Sequence, residues 1–409
     1  MSSFDERTAA LWRVESPRLI ARLTRLLGDL DAAEELVQDA FVAAIEKWRR
    51  EGVPGNPAAW LTTTARYLAV DRLRRRDTQR DKYRVVAAAQ PQAVEHEPDA
   101  DLADDLLGLI FMSCHPLLSP DARSALTLKL VCGLSTEDVA RAFLVPEATV
   151  AQRIVRAKRK MGAAGIPLRI PEGAERVGRL DIVLTVVSVM YSEAHLVPGG
   201  DASADRDLAD DAVWLARVVV HALPREAEAL GLLALILFHR AREGARAVDG
   251  ELVLLADQDR TSWDRSLIRE AQVVLERAAM LRRPGRWQLH AAIAACHADA
   301  ATADATDWLQ VLTLYDMLGA YDRSPIVRLN RAVALAEVDG PAVALTEVDA
   351  LGDALGGYHL WHAVRARLLE SVGRRDEALD EDLRAMQLTQ NEAERRLLAS
   401  RIGPRRESA

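Results

Sequence analysis

Apolar residues recur at three- and four-residue spacing along nearly the whole chain, and alternating β-branched runs are scarce, so the pattern predicts an all-α protein. The segment from Leu134 to Met161, LSTEDVARAFLVPEATVAQRIVRAKRKM, shows this most fully. Ser135 offers a helix start with Asp138 as its capping partner three residues on, and Val139, Ala140 and Phe143 supply an apolar face. Pro146 then sits where a second helix begins. Beyond it Val150, Ile154, Ala157 and Met161 fall at i, i+4, i+7 and i+11 and form one buried stripe, with Ala148, Gln152, Arg156 and Arg159 on the other side. A bracing helix, a tight turn and a second helix with polar and basic side chains outward is helix-turn-helix grammar. On these residues alone, a solvated helical hairpin is the competing reading.

Two helices are predicted upstream. In DLDAAEELVQDAFVAAIEKW, Leu36, Ala40, Ala43 and Ala44 face inward, while Asp31, Glu34, Glu35, Gln38 and Asp39 are expected outward; such an acidic face repels DNA and suits a protein partner. In NPAAWLTTTARYLAVDRLRRR, Trp60, Thr64, Tyr67, Asp71 and Arg74 share a face. Aromatic rings on a basic helix can stack on unpaired bases while arginines hold phosphates, although Trp60 and Tyr67 also suit ordinary packing.

With 409 residues, 49% of them hydrophobic, the chain can bury two or three cores. The net charge of −8 conceals local asymmetry. From Trp60 to Arg84, eight bases (Arg66, Arg72, Arg74, Arg75, Arg76, Arg80, Lys82, Arg84) face three acids. From Arg141 to Lys160, six bases face Glu147 alone. Between these basic elements, residues 86–105 hold Glu95, Glu97, Asp99, Asp101, Asp104 and Asp105 with Pro91 and Pro98, which reads as an acidic linker. Two basic faces in an acidic chain suit DNA affinity confined to particular surfaces. The 3 cysteines, Cys114, Cys132 and Cys296, make no CxxC pair, and neither Cys114-His115 nor Cys296-His297 has companions at ligand spacing, so no metal or other cofactor is expected. The opening residues lack a basic-then-apolar leader and no stretch approaches a membrane span, which points to the cytoplasm.

After residue 162, GIPLRIPEG forms a Gly/Pro-punctuated joint, and residues 163–409 read as helix after helix. In WHAVRARLLESVGRRDEALDEDLRAMQL the spacing of Ala366, Gly373, Ala378 and Ala385 resembles a tetratricopeptide unit, with a fainter copy at Gly340 and Ala344. One cluster, Asp257, Asp259, Arg260, Trp263 and Asp264, follows an apolar run. It suggests a buried ion-pair corner or an effector or polymerase contact; with no nucleophile beside a base, an enzyme is not expected.

Taken in order, AEELVQDAF, WLTTTARYLAVDRLRRR, the acidic linker and the helix-turn-helix resemble regions two and four of the extracytoplasmic-function sigma factors of RNA polymerase, over about residues 10–161. The resemblance implies sigma region two over 1–85 and region four over 106–162, two small helical domains followed by a tetratricopeptide-like regulatory domain over 163–409. It implies that Asp31, Glu34, Glu35, Leu36, Gln38, Asp39 and Phe41 dock on the polymerase clamp, with region four on the flap. It implies promoter contacts at the −10 element from Trp60, Thr64, Arg66, Tyr67, Asp71, Arg72, Arg74 and Arg75, and at the −35 element from Pro146, Glu147, Ala148, Thr149, Gln152, Arg153, Arg156 and Lys158. Tyr67 stands where relatives often carry Asn, and Glu147-Ala148 where a Gly is common, so promoter sequence does not transfer. The tail resembles that of one sigma-factor group in which DQDR followed by WD recurs, making Asp257, Asp259, Arg260, Trp263 and Asp264 candidate regulatory residues. That group is often accompanied by a small YCII-related protein, a candidate partner here. An ordinary repressor needs only the helix-turn-helix, so the acidic docking helix and the first basic element favour the sigma factor.

Overall fold

In a computed structural model the described residues are 3–81, 100–143, 145–196, 202–248, 251–389 and 391–407. They are almost wholly helical, as the spacing predicted. The chain divides into two compact units, Met1–Met190 and Tyr191–Ala409, so the first unit runs beyond the boundary expected at Gly162.

The first unit opens with α1 (Ser3–Leu27), α2 (Leu30–Glu51) and α3 (Pro57–Asp81), which pack on one another. Asp29 caps α2 by accepting from the Ala32 amide at 3.1 Å, and Asn56 caps α3 by accepting from Ala59 at 3.0 Å. Fully buried Ala33, Ala40, Ala44, Ala65 and Ala69 leave room for the backbones to approach. Next come α4 (Ala100–Ser113), α5 (Pro120–Leu130), α6 (Thr136–Ala142) and α7 (Glu147–Ala163). Ser135 and Asp138 form the expected capping box on α6. Val150, Ile154, Ala157 and Met161 are all buried, as their spacing required, and Pro146 is the N-cap of α7. The linker reading needs correction at its end. Asp101, Asp104 and Asp105 lie in α4, and Asp105 is buried as the ion-pair partner of Arg25 on α1; residues 86–99 lie outside the described residues.

The first unit also includes the joint and the start of α8 (Gly173–Leu196). Leu168 seats against Gly108, where a Cβ would lie 3.2 Å from its Cδ2. Buried Arg179 donates to the Phe111 carbonyl at 2.5 Å and to Glu175 at 3.1 Å. These contacts explain the later boundary: the apolar joint residues complete the cover over α4 instead of forming a free hinge.

The second unit takes in the end of α8 and continues with α9 (Ala202–Ala222) and α10 (Ala227–Ala241), the latter apolar on nearly every side and correspondingly buried. An antiparallel pair of two-residue strands follows, β1 (Ala247–Val248) and β2 (Glu251–Leu252). Then come α11 (Arg265–Met280), α12 (Arg286–Asp299), α13 (Trp308–Leu318), α14 (Pro325–Val338), α15 (Pro341–Asp349), α16 (Gly352–Leu355), α17 (His359–Ser371), α18 (Arg375–Leu388) and α19 (Glu392–Glu407).

Two successive helix pairs near the end of the described chain are built alike. The pairs α14/α15 and α17/α18 both turn through a glycine of positive φ, Gly340 at 93° and Gly373 at 81°, a region that disfavours any residue with a Cβ. Ala332 and Ala366 are fully buried at the same place in successive pairs, as are Ala344 and Ala378. Arg331 bonds Asp316 at 2.6 Å and Glu347 at 2.7 Å; Arg365 bonds Asp349 at 2.7 Å and Glu381 at 2.6 Å. Equivalent arginines thus bridge to a carboxylate of the preceding pair and one of their own, which fixes the stacking register.

Candidate nucleic-acid interface

The first basic element is built on α3. Leu61, Ala65 and Ala69 face the core, leaving Arg66, Tyr67, Arg72, Arg74 and Arg75 exposed; Tyr67 shows 71% of its surface to solvent. A groove of about 450 Å³ runs along this face, lined by Arg22, Thr62, Thr63, Arg66, Tyr67, Val70, Asp71 and Arg74. Arg22, from α1, was missed in the sequence because no helical spacing ties it to α3; only packing of the two helices brings it there. The expected aromatic pair is divided: Trp60 packs edge-on against Trp48 at 5.4 Å with Lys47 above its ring, so Tyr67 is the freely presented ring. Thr64 is half-buried beside them. Arg75 pairs with Asp71 at 2.7 Å along the helix, and Arg72 with Glu35 of α2 at 2.6 Å.

The second basic element is α7. Pro146, Glu147, Ala148, Gln152 and Arg156 are exposed at and beyond its N-terminus, with Thr149 half-buried. Arg153 pairs with Asp121 at 3.0 Å, and Lys160 donates to the Leu117 carbonyl at 2.7 Å. Lys158 turns the other way: its ammonium donates to Glu34 and lies 3.3 Å from Asp31, both on α2.

That contact corrects the reading of α2. Asp31, Glu35, Gln38 and Asp39 are exposed as expected, but Glu34 is buried, 8% exposed, under Lys158. Leu36 and Phe41 are core residues, Phe41 meeting Trp12 edge-on at 4.9 Å, so neither presents its side chain on the surface of α2. The inward spacing of Leu36 with Ala40 already pointed to the core, and α1, α3 and α7 all pack on α2, so a docking role for either side chain is not supported by its exposure.

In the second unit, the cluster around Arg260 is not the ion-pair corner expected. Asp257, Asp259 and Asp264 are exposed, whereas Arg260 is 5% exposed and donates to the carbonyls of His297 at 2.7 Å and Ala300 at 3.0 Å, with Trp263 under its cation at 5.2 Å. It thereby closes the C-terminal end of α12, where carbonyls lack helical partners and a positive charge meets the favourable end of the helix dipole. Asp259 caps the single turn Arg260–Ser262 through Thr261, and Asp264 caps α11 through Ser266 and Leu267. Asp257 makes its turn through a backbone bond to Leu254. The Trp263 contact and these caps make the DQDR…WD segment a clasp between the start of α11 and the end of α12.

Among the described residues no group of three or more His, Cys, Asp or Glu is placed to hold a metal ion, and no helix is long and apolar enough to cross a membrane. The three cysteines are buried, and burial pushes the Cys114 thiol up to about 11 beside Thr127 and Ser113.

The described faces coincide with matched families. Residues 11–79 match Sigma-70 region 2 and residues 109–161 match Sigma-70, region 4. Residues 179–279 match a family of unknown function, DUF6596, which contains the clasp. The ECF RNA polymerase sigma factor SigK of Mycobacterium sp. (strain KMS) is 32% identical over 36% of this chain and 76% of its own length. SigC of Mycobacterium tuberculosis (strain CDC 1551 / Oshkosh) is 29% identical over 34% of this chain and 72% of its own length. An uncharacterized protein, R00370, of Rhizobium meliloti (strain 1021) is 40% identical over 92% of this chain and 91% of its own length, so its likeness extends through the second unit. With two ordered sigma-type regions in one unit, the chain is of the class of transcription initiation factors. It belongs to the extracytoplasmic-function RNA polymerase sigma factors.

Proposed function

We propose that this chain directs core RNA polymerase to a set of promoters, with α3 capturing and opening the −10 element, the N-terminal part of α7 reading the −35 element, and the second unit controlling activity. The observation that carries the reading is the pair of basic faces: the Arg22/Arg66/Tyr67/Arg74 groove and the exposed Gln152–Arg156 face, each backed by a buried apolar stripe. A groove with an exposed aromatic ring between arginines suits a strand whose bases are unstacked. A major groove accepts a helix presenting Glu147, Gln152 and Arg156 to base edges, while Arg159 serves phosphate. Asp31, Glu35, Gln38 and Asp39 form the acidic docking surface for the polymerase clamp, and region four meets the flap.

The second unit reads as a tetratricopeptide-like array, supported by the recurring glycine turns and arginine bridges of α14/α15 and α17/α18. The regulatory assignment of Asp257, Asp259, Arg260, Trp263 and Asp264 is carried through the clasp, which shapes the surface that a partner meets; the small YCII-related protein is the partner to test by co-purification. We assign the unit a positive role, required for transcription.

In vitro transcription with purified core polymerase over a promoter library tests the function directly. Defined transcripts sharing −10 and −35 sequences are expected; none above the core-only background would refute it. A shortened chain should end at Leu196, beyond Arg179 and Leu168, because a cut at Gly162 strips cover from α4. Loss of transcription by the folded shortened chain supports the positive role, and transcription equal to or above the parent's opposes it.

A further inference from the structure

The turn after α10 carries two arginines that the promoter reading leaves unused. Arg242 closes α10, and Arg246 follows the single turn Glu243–Ala245. Their backbone is pinned on both sides: the Arg246 carbonyl accepts from the Val253 amide at 2.8 Å, and the Ala241 carbonyl accepts from the amide of Asp264, the cap of α11, also at 2.8 Å. Both side chains are half-buried, and among the described residues neither forms an ion pair or a side-chain hydrogen bond. Carboxylates on the adjoining elements are drawn elsewhere. Arg240 takes Glu243 at 2.6 Å and Asp210 at 2.5 Å, Arg396 takes Glu251 at 2.9 Å, and Asp259 and Asp264 accept from amides at helix starts. Burial, then Arg246, bring the Arg242 guanidinium down to about 10, and burial lowers Arg246 as well, yet both remain cations at neutral pH. Glu243 offsets only part of this, because Arg240 already holds it. Two more groups lie close by. Tyr191, 4% exposed at the end of α8, is within electrostatic reach of Arg240, Arg242 and Arg246, and burial, then Glu243, push its hydroxyl up, which keeps it a donor. The neutral His297 ring on α12 is within reach of Arg242 and Arg260.

Partly desolvated cations cost stability until an anion completes them. We propose that Arg242 and Arg246, with the Tyr191 hydroxyl and the His297 ring at the edge, form a binding site for a phosphate group, free or carried on a small-molecule ester. The planar fork of a guanidinium fits two phosphate oxygens at once, and two adjacent cations favour a dianion over a singly charged carboxylate. The phenol and the neutral imidazole add uncharged donors. Access is open at Gly244, where an added Cβ would meet nothing within 4 Å, while the pinned backbone presents the arginines without a prior folding step. Apart from His297 the site falls inside residues 179–279, the span matched to the family of unknown function. It also adjoins the clasp, since Arg260 holds the His297 carbonyl at 2.7 Å. An occupied site therefore ties the end of α10 to the end of α12. Such a site goes beyond the promoter reading and does not depend on it.

The test uses the full chain in phosphate-free buffer at fixed ionic strength, titrated separately with inorganic phosphate, methyl phosphate and acetate and followed by calorimetry and hydrogen–deuterium exchange. Saturable phosphate binding is expected, at least about tenfold tighter than that of acetate, with protection gained in peptides from the end of α10 and the start of α11. Arg242→Gln and Arg246→Gln should each weaken it about tenfold or more. Without ligand, each variant should be at least as stable as the parent, because a partly desolvated charge is gone. Tighter binding of methyl phosphate names an ester as the ligand, and tighter binding of inorganic phosphate names the free ion. Protection confined to α3 and α7, where phosphate imitates a nucleic-acid backbone, overturns the site. Acetate binding as tightly as phosphate, or phosphate affinity unchanged in both variants, overturns it as well. Variants that lose stability without ligand along with their phosphate affinity would make the two arginines structural, and the site would fall with them.

Discussion

Arg260→Ala is expected to loosen the second unit at one defined place, the end of α12. The guanidinium there serves the carbonyls of His297 and Ala300 from a position 5% exposed. Deleting it leaves two largely dry acceptors, at about 1–3 kcal/mol each, and removes a cation over Trp263, at about 0.5–2 kcal/mol. Two effects reduce the sum. Water enters part of the space left, and Arg260 Nε has no hydrogen-bond partner of its own, so its desolvation is relieved. The net loss is therefore about 2–4 kcal/mol. Arg260→Lys should restore less than half, since a point charge cannot hold both carbonyls in the geometry of a planar fork. Hydrogen–deuterium exchange of the full chain provides the assay, with peptides from α12 and the start of α11 losing protection and those from α1–α7 unchanged. A change below about 1 kcal/mol in α12 opening would show that the clasp does not hold that helix end. The result also governs how any transcriptional defect of an Asp259→Ala/Arg260→Ala variant is read: Asp259 costs only a cap, whereas Arg260 loosens the unit itself.

Further expectations follow from single features. Burial, then Arg260 and Arg242, push His297 down to about 4, so its folded value lies below the ordinary 6.5; stability is complete above pH 6.5 and falls as pH drops toward 4, by about 2 kcal/mol between pH 7.5 and 5. Denaturant titrations should show this loss shrinking in His297→Phe, which keeps an edge-on ring against Trp308, and an unchanged pH slope would refute the assignment. Gly133 has φ of 68° and an added Cβ would lie 3.1 Å from Arg13 Cα, so Gly133→Ala should destabilise the first unit by about 1–3 kcal/mol in thermal unfolding, and no loss would mean the turn moves freely. Arg156→Ala should lower −35-dependent transcription by the equivalent of about 1–3 kcal/mol with thermal stability unchanged; transcription equal to the parent's would take Arg156 out of the interface.

Periodicity determined the helices, because a buried stripe every three to four residues is a local constraint: the stripe of α7, the capping box at Ser135 and the acidic face of α2 were all legible before any packing was known. The two basic faces were legible for the same reason, as charge along one helix is counted without knowing its neighbours. Tertiary structure decided which charges are free. Glu34 and Lys158 look like solvated residues in the sequence, and only the approach of α2 and α7 turns them into a pair; Arg22 joins the α3 groove only because α1 lies beside it. Arg260 looked like a partner for nearby aspartates, but burial favours whichever acceptors lie within reach and lack other donors, and those are carbonyls 37 and 40 residues away. The repeat lay between these cases. Its glycines and alanines were visible at their spacing, but the arginine bridges that give it register join side chains brought together only by stacking.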